Sequence, residues 1–158
     1  SLSEIDVSEL QLADKWILSR LTRVNIEVAE RYKSYGLGEA SKVLYEFTWN
    51  DFCDYYLELI KPRLKTDDSA TQAELADKRI ARSVLFKVLS DLLVMLHPLM
   101  PHLTEELWHA ITAMPEDNLL SLQSWPEIQD VYLDDDLESA FLEVFQARRA
   151  RKRARAYR

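Results

Sequence analysis

Apolar residues recur at Leu10, Ala13, Ile17, Leu21, Val24, Val28, Tyr32 and Tyr35, at intervals of 3, 4, 4, 3, 4, 4 and 3. Such spacing holds one face of an α-helix through many turns. It predicts a first helix that Ser8 caps and that runs to about Tyr35, about 42 Å at 1.5 Å per residue. Gly36 and Gly38 then allow a tight reversal. Residues 39–61 carry apolar side chains around most of the circumference, which predicts a central helix that Pro62 stops. Thr71 and Glu74 make a capping box, T-x-x-E, opening a third helix that extends to Leu96, before Pro98 and Pro101. Thr104 is the expected cap of a short fourth helix ending at Pro115. Residues 115–133 hold two prolines and scattered apolar positions and predict an irregular but ordered wrap. A last helix starts near Asp135, where Asp134, Asp135 and Asp136 suit its positive end.

Composition narrows this to one fold class. Only two glycines occur in 158 residues, too few for the turns a β-rich chain needs. The expectation is all-α, an antiparallel bundle of four to five helices. Residues 1–7 serve as a connector, 8–133 as the bundle, and 134–158 as a C-terminal helix with a basic end. Cys53 is the only cysteine, so no internal disulfide forms and nothing calls for an oxidising compartment. With no apolar run near the roughly 20 residues that span a bilayer and no secretory signal, the expected location is cytoplasmic, without a membrane partner.

Charge is unevenly placed. The net value is −7, yet residues 147–158 hold seven of the 20 cations and no acid. The other residues therefore set 13 cations against all 27 acids, a balance of −14. Bulk attraction to nucleic acid is excluded for such a body, because phosphate binding scales with the cations aligned on it. Any RNA contact must use a few placed side chains.

Catalytic signatures are absent from the sequence. Two glycines cannot build G-x-x-x-x-G-K-[ST] or G-x-G-x-x-G loops. His97, His102 and His109 form no H-E-x-x-H, and Glu105 with His109 is the nearest approach to a ligand pair, so no metal site is expected. Two cationic faces remain. Beside the buried stripe of the first helix lie Leu12, Trp16, Ser19, Arg20 and Arg23, with Lys15 at the same end. An aromatic with two arginines a turn or two on can stack an unpaired base and hold its phosphates. Equally, Trp16 can pack against the third helix while the arginines pair with acids. The third helix offers Lys78, Arg79 and Arg82, which on spacing alone also fit a solvated face. Asn50, Asp51 and Asp54 read as structural groups between aromatic neighbours, and Thr104, Glu105 and Trp108 as cap, dipole partner and core.

Three segments carry a resemblance. Residues 44–63 include W-N-D-F-C-D-Y-Y-L-E, residues 12–21 read L-A-D-K-W-I-L-S-R-L, and residues 96–108 read L-H-P-L-M-P-H-L-T-E-E-L-W. Together they resemble the bundle of valine–tRNA synthetases, in order, over about residues 10–128. Residues 12–21 and 96–108 alone also suit the isoleucine and leucine enzymes, whereas the W-N-D-F-C-D block favours valine. The basic end, Q-A-R-R-A-R-K-R-A-R-A-Y-R, departs from the family, where a less basic helix leads toward a coiled coil.

The resemblance implies a tRNA anticodon-recognition module of a class I ligase. Its partners would be the anticodon stem-loop of a valine tRNA and the chain's own catalytic domain, in a monomer. The family's H-I-G-H and K-M-S-K-S motifs do not occur here. ATP with magnesium, and the ligase chemistry, would therefore belong to a catalytic part outside this sequence, and the segment itself is expected to hold no cofactor and to be inert. It also implies that the first and third helices face the anticodon, which favours Lys15, Trp16, Ser19, Arg20, Arg23, Lys78, Arg79 and Arg82 as RNA contacts. A helical protein-interaction domain derived from the same bundle is the alternative.

Overall fold

The computed structural model describes residues 6–65, 70–112 and 118–156, with side chains as far as Arg151. The first five connector residues, most of the polar linker after Lys65, Pro115 and the last basic side chains lie outside these. Six α-helices and a π-helical stretch make an all-α bundle, without strands among the described residues.

Helix α1 spans Leu12–Lys33. Ser8 does not cap it: it lies in a 3-10 turn, Val7–Glu9, that Asp6 caps through the Ser8 N–H at 2.9 Å. The start of α1 is set by Asp14, whose carboxylate accepts the Gln11 N–H at 3.2 Å. Trp16, Ile17, Leu18 and Ser19 are all buried. Four consecutive buried residues require neighbours on every side, and α1, rather than the second helix, is the central one.

The glycines do not supply the left-handed residue at its end. Tyr35 takes it, with φ +61°, while Gly36 sits at φ −80°. A Cβ on Gly36 would stand 3.2 Å from the carboxylate of exposed Glu39 and 3.5 Å from the Arg31 carbonyl.

The second helix is continuous but changes pitch. Helix α2, Leu37–Glu46, passes into a π-helical stretch, Phe47–Tyr56, and then into α3, Leu57–Leu64. Pro62 lies inside α3 instead of ending it. It forgoes the backbone bond to the Glu58 carbonyl, while the next residue is firmly held: Arg63 donates to Asp14 at 2.8 Å and to Asp77 at 2.8 Å. One side of this helix is exposed, at Tyr45, Trp49 and Leu59.

Helix α4, Gln72–Leu96, opens on the Thr71–Glu74 capping box as its sequence predicts, with the Thr71 N–H on the Glu74 carboxylate at 2.8 Å. Helix α5 spans Pro101–Thr112. Thr104 is not its cap: buried in the first turn, its hydroxyl returns to the Met100 carbonyl at 2.9 Å and meets His97 Nδ1 at 2.9 Å.

The wrap after residue 118 is tied down by polar anchors. Trp108 donates to the Asn118 carbonyl at 3.0 Å. The Glu105 carboxylate accepts the Leu120 N–H at 2.7 Å. Buried Asn25 of α1 donates to the Pro126 carbonyl and accepts from Trp125. Helix α6, Asp135–Ala156, follows and lies against α1.

Candidate nucleic-acid interface

Asp134 caps α6, accepting the Leu137 N–H at 2.9 Å, and its own N–H donates to the Ser19 hydroxyl at 3.0 Å. This places Glu138 directly over α1. The Glu138 carboxylate accepts from Ser19, from Arg20 at 3.2 Å and from Arg23 at 3.1 Å. Arg20 also donates to Asp51 of the π-helical stretch at 2.9 Å, and Arg23 to Asp135. Two arginines and three carboxylates thus join α1, the π-helical stretch and α6.

Charge and burial compete here. Burial works against the Arg20 charge, but Asp51 and Glu138 outweigh it and raise its pKa above the ordinary value. The Arg23 guanidinium is raised chiefly by its hydrogen bond to Glu138. Burial pushes Asp51 above the usual carboxylate range even with Arg20 against it.

Trp16 lies beneath this cluster and is 2% exposed. Its ring stacks on Phe141 at 5.1 Å and meets Phe145 edge-on at 5.2 Å. Phe145 stacks in turn on Tyr55 at 3.6 Å, and the Arg149 guanidinium stands 5.4 Å from the Tyr55 ring. Trp16 therefore packs on α6, and a base reaches it only if α6 moves. Ser19 is buried with it. Phe141, Phe145 and Glu138, the residues that cover this face, are the ones sequence reasoning missed. The i, i+4 spacing of Leu137, Phe141 and Phe145 was the available signal.

Around Arg20 and Arg23 two grooves meet. One, of about 450 Å³, runs between α1 and α2 and is bordered by Arg31, Lys42, Glu46 and Asn50. The other, of about 470 Å³, runs between α1 and α6 past Trp16 and Leu142. Both share Arg20, Arg23 and Asp51. The remaining candidates lie elsewhere. Lys15 is half-buried near the start of α1, and Lys78 is half-buried on α4. Arg79 and Arg82 are exposed, away from the buried row Ile80, Ala81 and Val84. Asp54 is exposed too, so of the three acidic or amide residues near Phe52 it is Asp51 that ties helices together. Among the described residues no three His, Cys, Asp or Glu side chains are grouped to hold a metal ion. No helix among them is long and apolar enough to cross a membrane.

These features define an all-α bundle with a polar, arginine-bearing cleft beside its central helix. Residues 14–157 match the family described as the anticodon-binding domain of tRNA ligase, and the chain belongs to that family. It is 59% identical over 156 residues to a valine–tRNA ligase of Prochlorococcus marinus strain NATL2A, covering 99% of this chain and 17% of that protein. A second, from Prochlorococcus marinus strain MIT 9313, is 60% identical over 156 residues with the same coverage. A valine–tRNA ligase of Thermosynechococcus vestitus is 43% identical over 148 residues, 94% of this chain and 16% of the relative. The chain thus spans about one sixth of the length of these curated relatives. None of these matches favours the protein-interaction alternative.

Proposed function

We propose that this chain is the anticodon-recognition module of a valine–tRNA ligase, in which residues 8–133 form the recognising bundle and the helix from 134 leads on into the parent chain. The observation that carries the reading is the cleft beside α1, where Arg20 and Arg23 sit in an otherwise acidic body within a domain of the anticodon-binding family. Arg23 keeps 42% of its side chain in solvent and Asp135 keeps 85%, so an incoming phosphate can take the place of Asp135 on the guanidinium fork. Lys15, Lys78, Arg79 and Arg82 supply cations on the bundle's flanks. Trp16 and Ser19 act from beneath by holding α6 in position.

In the parent enzyme, which we place in the cytoplasm as a monomer, ATP with magnesium would drive attachment of valine to its tRNA. That chemistry would lie in the catalytic part of the parent chain, and no step of it is assigned to this one. Its part is to bind and select the tRNA.

The test is binding of this chain to a valine tRNA and to the same tRNA with its central anticodon base changed, at two salt concentrations. The cognate RNA is expected to bind tighter by about 1–3 kcal/mol at both, and Arg23→Ala to weaken it. Equal binding of both RNAs, abolished by salt, would overturn the reading.

A further inference from the structure

Past Phe145, helix α6 changes character. Positions 148–155 are all Arg or Lys apart from Ala150 and Ala154, and no acid follows Glu143. Ala and Arg are both strong helix formers, and the backbone stays helical through Ala156. No Leu, Ile, Val, Met, Phe or Trp occurs after Phe145. A protein partner would need aromatic or aliphatic anchors, and a membrane surface would need an apolar helix face. No Asn or Gln follows Gln146 either, which removes the amide and carboxylate contacts that read adenine and cytosine. What such a segment can hold is phosphate.

The fold presents these cations at a fixed place. Helix α6 runs antiparallel to α1: Glu138 meets Arg20 and Arg23, and Phe145 meets Trp16. Counted from that last contact at 1.5 Å per residue, Ala156 lies about 10 Å past the level where α1 begins at Leu12. Arg149 ties the segment to the bundle, its guanidinium 5.4 Å from the ring of buried Tyr55. Arg148, Arg149 and Arg151 are exposed, and none of them is in an ion pair among the described residues. The acids within their electrostatic reach, Asp51 and Glu58, are already engaged, by Arg20 at 2.9 Å and by Lys61.

Ala147, Ala150 and Ala154, at intervals of 3 and 4, share one narrow side of the helix. Cations on the rest of the circumference call for phosphates in more than one direction. A duplex offers two backbones, and an extended single strand offers one. We propose that residues 148–155 form a binding site for the sugar–phosphate backbone of double-stranded RNA, independent of its sequence. The site stands apart from the cleft and goes beyond the reading of that cleft. Arg20 and Arg23 meet RNA with acids already on them, whereas the cations of the basic end meet it unpaired.

The chain is titrated, over a range of salt concentrations, with two blunt RNA duplexes of unrelated sequence and with anionic phospholipid vesicles. Both duplexes are expected to bind alike. Changing Arg148, Arg149 and Arg151 together to Gln, a comparable helix former, is expected to weaken both about tenfold at low salt and to reduce the slope of log K against log salt by about two to three. The same three positions changed to Lys keep their charge and are expected to keep the binding. Unchanged Trp16 emission and an unchanged thermal melt show that α6 stays docked in each variant. Arg20→Ala is expected to leave duplex binding in place. Duplex binding that survives the Gln changes, or that Arg20→Ala abolishes, overturns the site, as does preference for one duplex sequence. Vesicle binding without duplex binding overturns it too and reassigns the segment to a membrane surface. Discrimination between a valine tRNA and its base-changed form belongs to the cleft, and its absence would leave the duplex result untouched.

Discussion

Tyr35 illustrates how local strain and sequence can disagree. A bulky residue at φ +61° pays roughly 1–2 kcal/mol against right-handed backbone, and its ring, 91% exposed, gains no packing in return. Tyr35→Asn is expected to stabilise the chain by about 0.5–1 kcal/mol, read as a higher midpoint in urea. Asp14 is the opposite case. It is wholly buried, accepts from Arg63, itself 9% exposed, and from the Tyr56 hydroxyl at 3.1 Å. Removing one member of a buried pair leaves an uncompensated charge, and Arg63→Met is expected to cost about 3–5 kcal/mol by the same measurement. Burial, then the nearby Asp14 carboxylate, pushes the Tyr56 phenol well above its ordinary value of 10.0. The unfolded chain gives up this proton near pH 10 while the folded chain keeps it. The stability it contributes is therefore full below that pH and is lost as pH rises above it. Tyr56→Phe should lower the melting temperature at neutral pH and make its decline above pH 10 shallower.

Among the elements, α6 depends most on contacts far away in the chain. Its first half is held by Glu138 and by Phe141 and Phe145 over Trp16. Glu138→Gln weakens three charge-assisted or hydroxyl contacts at once. It is expected to speed amide exchange across residues 135–151 and to shift Trp16 emission to the red, while α4 and α5 keep their protection. Local signals made most of the helices legible. The Thr71–Glu74 box marks the start of α4, the prolines after Leu96 mark its end, and Asp134 begins α6. What the spacing of apolar residues does not contain is which partner covers a polar face. Trp16, Arg20 and Arg23 have the look of a solvent-facing row; Asp51 reaches Arg20 from the next helix, and the return of the chain more than 100 residues later sets further acids and the phenylalanines against them. The π-helical stretch was equally hidden, since a change of pitch leaves the residues of a mostly apolar helix in place and alters only their facing.

At the scale of the whole molecule, cations and acids are sorted rather than mixed: the body carries −14 and the final twelve residues +7. Arg148, Arg149 and Arg151 extend along α6 past the arginine cluster, with Arg149 over Tyr55. Salt dependence of RNA binding measures the mobile ions set free when phosphates are neutralised, with a slope of about −0.7 per contact for single strands. Arg20 and Arg23 already hold Asp51, Asp135 and Glu138. Those carboxylates are counterions fastened to the protein: a phosphate that displaces them sheds its condensed cation, but the freed carboxylates take up cations in turn, so the net release is small. Replacing Arg20 and Arg23 by alanine should therefore lower affinity for a valine tRNA while hardly changing the slope of log K against log salt, whereas neutralising Arg148, Arg149 and Arg151 should flatten it. A cleft that carries its own counterions trades long-range attraction for exchange at close range, so RNA gains there only where its phosphates fit the arginines better than the resident acids do.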